Sequence, residues 1–321
     1  MKKLHNQLLV IVGLIMFFVC LNMGIYNLFT KRCISDYSDG LKAKSIELDR
    51  YLPFVEDSEL VKVDSELMLE GDLPVLDGAA ALYPIFSATV HAIYPQDCVH
   101  FDGENFTEES VLQYRNTRGA YKAIVDGDID IAICVKPSEE QLAYAKEKGV
   151  ELEFVPIGKE AFVFIVNKDN PVDGLTEDEI RDIYAGEITN WSKVGGDNKL
   201  ISPLQRNQGS GSQTAMLSFM NGREMPRDYN SFLGSAIGFS FRFYVEGIVE
   251  DGGVKMLSVN GVYPNVENIK NDSYPVVQNI YAVYRKENTN ENIPIVIDWL
   301  LSDEGQQMIE DTGYVGINVI E

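Results

Sequence analysis

Basic charge, cysteine and histidine are all scarce in this chain. Lys and Arg number 27 against 49 Asp and Glu, a formal net charge of -22 over 321 residues. That deficit disfavours nucleic acid as a partner, because such binding depends on basic surface. It also means that a bound anion must be held by local donors and dipoles, against the long-range field of the protein. The four cysteines, Cys20, Cys33, Cys98 and Cys134, form no CxxC and show no Cys/His spacing of a metal site. Free thiols at Cys98 and Cys134 are expected ahead of a disulfide between them. The three histidines, His5, His91 and His100, complete no triad with a serine. His91 reads as a surface position on a helix. The acid pairs Glu108/Glu109 and Glu139/Glu140 are sequence neighbours, which on a helix do not face each other. No metal, no cofactor and no enzymatic chemistry is expected. Tandem repeats and low-complexity tracts are absent as well.

What is present is enough apolar residue, 45% of the chain, for a substantial core. The length fits one large or two modest domains. Lys2 and Lys3 precede a mostly apolar run, Leu8 to Phe29, closed by Lys31 and Arg32. It is long enough to span a bilayer and lacks a small-x-small cleavage site. An uncleaved transmembrane anchor over residues 1–30 is expected ahead of a cleaved signal or a buried helix. Basic residues flank both ends, so they leave the orientation open. Residues 31–71 are acidic and mixed, and read as a linker.

Order begins at LPVLDG, a short strand. AAALYPIFSATVHAIYP follows as a helix with Leu82, Phe86, Val90 and Ile93 on one face. TRGAYKAIVDG is a helix stopped by Gly127, and DIDIAICV a strand. SEEQLAYAKEKG carries a capping box, Ser138 with Gln141, and a stop at Gly149. FVPIG and AFVFIVN read as two buried strands. TEDEIRDIYAG repeats the capping box with Thr176 and Glu179. This βαβαβ alternation predicts an α/β fold with a mostly parallel sheet. A Gly/Asn-rich region, roughly 222–274, interrupts it. YPVVQNIYAVYR then returns as a strand, and IPIVIDWLLSDEGQQMIEDTG as a helix broken near Ser302. Two α/β lobes, with a chain that crosses and comes back, account for this order.

One stretch stands out for chemistry. QRNQGSGSQT sets Arg206 four residues ahead of Ser210, Gly211 and Ser212, and TAMLSFM beyond it has helical periodicity. Ser210 is a natural N-cap. The first N–H groups of a helix have no internal partner, and the dipole is positive there. With the Arg206 fork this makes an anion site. A Gly/Ser turn that merely caps a helix fits these ten residues equally well. A P-loop does not, because the GK[ST] lysine is missing.

FVFIVNKDNPVDGLTEDEIRDIYAGEITNWSKVGG, QRNQGSGSQT and DWLLSDEGQQMIEDTGYV together resemble the phosphate-binding proteins that feed ABC-type phosphate importers. The resemblance covers nearly all of residues 72–321. It implies a two-lobed, type II periplasmic-binding-protein-like fold with a hinge between lobes. The family's phosphate-clamping arginine matches Arg206, and its Ser-Gly-Thr loop matches Ser210, Gly211 and Ser212. Its first phosphate loop matches GAAALYP, where Ala80 and Ala81 offer only backbone N–H. Its second loop aligns with NTRGAYK, making Thr117 the hydroxyl donor, with Arg118 adding a charge. The aspartate that accepts the proton of monohydrogen phosphate is replaced by Val135, and Asp77 is the nearest substitute in view.

The resemblance implies lobe 1 over 72–165 plus 275–321 and lobe 2 over 166–274. It implies an extracytoplasmic solute-binding protein at the cell membrane, its binding domain facing outside. The ligand would be inorganic phosphate or a similar oxyanion, delivered to an ABC permease. A membrane-anchored anion-sensing or partner-binding module without transport is the alternative.

Overall fold

The runs FVPIG and AFVFIVN form a single strand. In the computed structural model of the chain it covers Leu152–Asn167 and sits at the centre of the main sheet. The structure describes residues 47–317, apart from 227–234 and 250–252, together with Met16, Phe18, Val19, Leu21 and Asn22. The span expected over Leu8 to Phe29 lies largely outside the described residues. Among those described, no helix is long and apolar enough to cross a membrane.

In chain order the elements open with β1 (Leu76–Gly78), α1 (Tyr83–Ile93), α2 (Asn116–Asp126), β2 (Ile131–Cys134), α3 (Glu139–Lys148) and β3 (Leu152–Asn167). Next come β4 (Gly174–Leu175), α4 (Glu177–Ala185), β5 (Ile201–Pro203), α5 (Gly211–Phe219), β6 (Ser235–Phe241) and α6 (Arg242–Val249). The chain continues through β7 (Val254–Met256), β8 (Ser258–Val259), α7 (Val266–Lys270), β9 (Val277–Arg285), α8 (Asn292–Leu301), α9 (Asp303–Asp311) and β10 (Val315–Gly316). The predicted helix ends hold. Ser138 and Thr176 close their capping boxes, and Gly127 and Gly149 stop α2 and α3 at φ 90° and 72°. Ser302 both ends α8 and caps α9.

The main sheet runs β1-β2-β9-β3-β6-β5, with β10 and β7 also paired to β3. Among the strands of the described residues, parallel pairing is confined to β1–β2, β5–β6 and the small β4–β8 ribbon. The mostly parallel sheet expected from the alternation is therefore corrected to a mixed one. Between Leu152 and Ala161, β3 pairs antiparallel with the returning strand β9. From Phe162 to Val166 it pairs antiparallel with β6 instead. A chain that crosses to a second half and comes back must reverse direction beside the strand it left by, and residue pattern alone does not encode that direction.

The expected linker needs a second correction. From Ile46 onward the chain belongs to the same compact unit as the rest. Leu60 and Leu69 are buried in the core. The Leu69 N–H donates to the Ile93 carbonyl at 2.8 Å. On α1, Tyr83 and Ser87 donate their hydroxyls to the carbonyls of Leu48 and Tyr51. His91 Nδ1 accepts the Phe54 N–H at 3.2 Å, so this histidine is a half-buried anchor point for the strap, and burial lowers its pKa. Farther along, Trp299 donates to Ser65 Oγ, which donates to Glu304. The strap escaped sequence reading because its apolar residues are thinly spread among acids, with no helical or strand period. It explains why α1 is buried almost all round. Cys98 and Cys134 are free and buried, as expected.

Leu69 distinguishes a packed strap from a linker. Leu69→Ala should lower unfolding stability by about 2–4 kcal/mol, the range for truncating a buried leucine. Denaturant titration checks this, and an unchanged midpoint would mean the strap is not part of the core.

Candidate functional site

QRNQGSGSQT leads from β5 into α5. Ser210 is the N-cap in extended conformation, and its Oγ accepts the Gln213 N–H at 3.2 Å. The spacing Ser-x-x-Gln is that of a capping box, but the Gln213 side chain is used elsewhere. Its Oε1 accepts the backbone N–H of Arg206 at 2.8 Å. Gln213 is buried, so this bond fixes the Arg206 segment against the first turn of α5. Gln213 is the positioning residue that sequence reading missed, although its place three residues after Ser210 marked it. Gly209 has φ +79°, where a side chain is strained, and the Arg118 Cδ lies 3.3 Å from where its Cβ would be.

The other half of the site is built at the ends of β1 and β2. These strands are parallel, with Gly78 opposite Ile133, so the chain leaves both at the same edge. After β1, the Ala79 N–H goes to the Ile133 carbonyl. Ala80 to Leu82 then form a single 3-10 turn that runs into α1. The N–H groups of Ala80 and Ala81 precede the first helical bonds and have no partner among the described residues. After β2 comes Val135, buried. Thr117 lies in the first turn of α2, also buried, and its hydroxyl makes no hydrogen bond among the described residues. Asn116, with φ 57°, turns the chain into that helix.

The two halves meet at Gly211. A Cβ there would stand 3.2 Å from Val135 Cγ2, 3.3 Å from Thr117 Oγ1 and 3.7 Å from a Phe241 ring carbon. The structure thus brings Gly211, Thr117 and Val135 into contact, and Gly209 against Arg118. Ala80 and Ala81 come off the strand next to the one that ends at Val135. The N-terminus of α5 thus lies against the first turn of α2, and each helix start carries partial positive charge.

The charges sort by what they are tied to. Asp77 is fully buried and committed. Its Oδ1 accepts the N–H of Gly78 and of Arg115, and its Oδ2 the Arg115 Nη1 at 2.8 Å. Burial raises its pKa and Arg115 opposes the shift. Asp77, expected as the nearest substitute acid, is thus engaged by Arg115 and Gly78. Arg118 is exposed, with Glu140 at 3.8 Å. The Arg206 guanidinium forms no ion pair or hydrogen bond among the described residues, and its charge opposes the burial that raises the Tyr244 phenol. Tyr244 in turn raises Tyr114 of the opposite half, after burial.

A family model described as the PBP superfamily domain matches residues 75–304. The chain belongs to the PBP superfamily. Among curated proteins it is similar to the phosphate-binding protein PstS of Borreliella burgdorferi, 26% identical over 180 residues. That match covers 49% of this chain and 63% of the relative, less than two thirds of its length. Protein SphX of Synechococcus elongatus is 23% identical, over 76% of this chain and 77% of the relative. Among solved structures, a putative phosphate ABC transporter substrate-binding protein with bound phosphate, from Clostridium perfringens, superposes with TM-score 0.58 at 25% identity. The match covers 76% of this chain and 99% of that one. An ABC-type phosphate transport receptor from Vibrio cholerae shares the fold at TM-score 0.54 and 20% identity, over 75% of this chain and 99% of its own. The type II periplasmic-binding-protein-like fold expected from the sequence is thus the observed one.

Gly211 tests the contact between the halves. Replacing glycine by alanine at a helix start ordinarily stabilises by about 0.4–1 kcal/mol. Here the added methyl meets Val135 and Thr117, and overpacking of this kind costs about 1–3 kcal/mol. Gly211→Ala should therefore destabilise, and Val135→Ala in the same chain should recover part of the loss. Thermal unfolding of the single and double variants measures both.

Proposed function

We propose that this protein is an extracytoplasmic solute-binding protein for a small oxyanion, inorganic phosphate in the first instance, which it delivers to an ABC permease. The observation that carries this reading is the meeting of α5 with Thr117 and Val135. The N-terminus of α5 and the first turn of α2 meet there, and Arg206, four residues before the α5 cap, has no ion-pair partner among the described residues. The N-terminal segment would hold the protein at the cell membrane with the binding domain outside. The relatives' names support phosphate as the ligand class.

In this reading lobe 1 is 72–165 with 275–321 and lobe 2 is 166–274. They hinge where β3 exchanges β9 for β6. Arg206 supplies charge and a bidentate fork. Ser210 and Ser212 offer hydroxyl oxygens, and Gly211 and Ser212 offer N–H donors at the dipole end. Ala80, Ala81 and Thr117 close the site from lobe 1. Capture is binding and closure, with no bond made or broken. Donors held in advance cost little reorganisation, so they can outweigh the repulsion of the acidic surface.

Val135 favours a second reading, an anchored anion sensor without a transport role. A proton-accepting carboxylate is what lets a dry site select monohydrogen phosphate, and this chain has an apolar side chain there.

Arg206→Ala should leave the fold intact and weaken phosphate binding. Losing one partner of a buried charge pair costs about 2–5 kcal/mol, or roughly 30- to several-thousand-fold in affinity. Calorimetry with inorganic phosphate measures it, and unchanged affinity would remove Arg206 from the site.

Selectivity is the sharper test. The proton of monohydrogen phosphate needs an acceptor, and an unpaired buried donor costs about 1–3 kcal/mol. A carboxylate meets that need and repels sulfate, which has no proton to offer. The unmodified protein should therefore separate phosphate from sulfate poorly, and Val135→Asp should widen the gap, mainly by weakening sulfate. Competition titration at fixed ionic strength reads both. Strong phosphate selectivity in the unmodified protein would mean that another group takes the proton.

A further inference from the structure

Glu160 and Arg242 are both buried, at 0% and 2% exposure, at the point where β3 changes partner. They form an ion pair by distance only. Arg242 Nε lies 3.4 Å from Glu160 Oε1, yet it makes no hydrogen bond and is among the few buried polar atoms left without one. The rest of the guanidinium is held elsewhere. Nη1 donates to both oxygens of Glu246 at 2.7 Å, and Nη2 to the Gly313 carbonyl. The Glu160 oxygens accept the N–H groups of Ala161 at 2.8 Å and Phe243 at 3.3 Å. The groups facing Glu160 are thus Arg242 and Glu246 on α6 and the Tyr314 phenol ahead of β10. Lys159, the preceding residue on β3, is occupied by Asp272.

This cluster reaches both sides of the cleft. Phe243, next to Arg242, stacks on Tyr314 at 4.4 Å between ring centroids. The Tyr314 hydroxyl donates to the Ala81 carbonyl, and so fixes the turn whose N–H groups face the site. Tyr244, the next residue of α6, is the electrostatic neighbour of Arg206. One buried cluster therefore fixes the Ala80–Ala81 turn on one side and, on the other, lies two residues along α6 from the electrostatic neighbour of Arg206.

We propose that Glu160 and Arg242, acting through Gly313 and Tyr314, are positioning residues for the anion cleft, and that proton uptake by Glu160 favours the closed arrangement. The proposal rests on the reading of the cleft as an anion site. When Glu160 is neutral, the Arg242 charge is still balanced by Glu246, to which Nη1 donates. When Glu160 is ionised, a buried charge stands beside a guanidinium that does not hydrogen-bond to it. Opening at the β3 crossover admits water and relieves that cost, so ionisation favours the open form.

The direction of the pH effect follows. Burial, opposed by Arg242, pushes the Glu160 pKa up from 4.5 to about 7. An acid whose pKa is raised in the closed form binds a proton more readily there. Closure is unpenalised below the ordinary carboxylate range, loses ground as pH rises through about 7, and is level above it.

The test is phosphate affinity of the wild type and Glu160→Gln, by calorimetry between about pH 5.5 and pH 8. The ratio of the two constants cancels the titration of phosphate itself. The wild type should weaken relative to Glu160→Gln by about ten-fold across that range. Tyr314→Phe should weaken binding at every pH while keeping the wild-type slope. A ratio that stays flat, or a Tyr314→Phe affinity equal to wild type, overturns the proposal while leaving the anion site standing. If the wild type binds no phosphate at any pH, the functional reading fails instead. Ligand-free melting then decides whether Glu160 is the group that titrates. The wild-type Tm should fall between about pH 5 and pH 7. In Glu160→Gln that fall should be absent, and its persistence would overturn the proposal.

Discussion

The double pairing of β3 is the constraint on which the rest of the structure depends. Its first ten residues bond to β9 and the next five to β6, so one continuous backbone serves both half-sheets. Buried backbone groups must be paired. A change in register on one side therefore has to be absorbed within the strand, and the shift between Pro156 and Gly158 is where that happens. Because the strand is shared, the N-termini of α1 and α2 on one side and of α5 on the other are placed from one reference. That is how residues as far apart in sequence as Thr117, Val135 and Gly211 come to lie within van der Waals reach.

An acidic protein that holds an anion has to keep its own carboxylates away from the site or neutralise them. Here the acids near the cleft are tied up individually. Asp77 is wrapped by Arg115 and two backbone N–H groups, and Glu140 stands by Arg118. The remaining negative charge is spread over exposed surface, where salt screens it beyond roughly 8–10 Å. At the proposed site, helix N-termini and Arg206 would act within contact distance, where screening is weak. Short-range donors therefore decide binding, and the net charge chiefly slows the approach of an anion.

Local grammar was legible in the sequence wherever a few adjacent residues determine the outcome. Ser138 with Gln141, Thr176 with Glu179, and the glycines at 127 and 149 marked helix ends that the structure reproduces. Ser210 and the helix after it were equally plain. The direction of β3 and β9 was not legible, because apolar pattern is the same for parallel and antiparallel neighbours. The strap from residue 46 to 71 was not legible either. Leu60 and Leu69 are single apolar residues in an acidic stretch, and their burial depends on α1 needing a cover that only the fold reveals. Glu160 reads as a charged residue within an apolar strand. That it is buried, and that Arg242 is its neighbour, depends on a contact between residues far apart in the chain.

The first loop of the cleft shows how a site can be stiff although its own residues contribute little. Ala80 and Ala81 have no side-chain donors, so the turn must be fixed from outside. Behind it, α1 is packed against the sheet by Tyr83 and Phe86, whose rings meet edge to face at 5.3 Å. Ahead of it, the Ala79 N–H is bound to the strand that ends at Val135. Above it, Tyr314 takes the Ala81 carbonyl, and on the outer side Tyr83 takes the carbonyl of Leu48 in the strap. Backbone N–H groups make selective donors only when their direction is fixed before the ligand arrives. Two small residues are sufficient here because the core, the strap and the C-terminal segment all bear on the same turn.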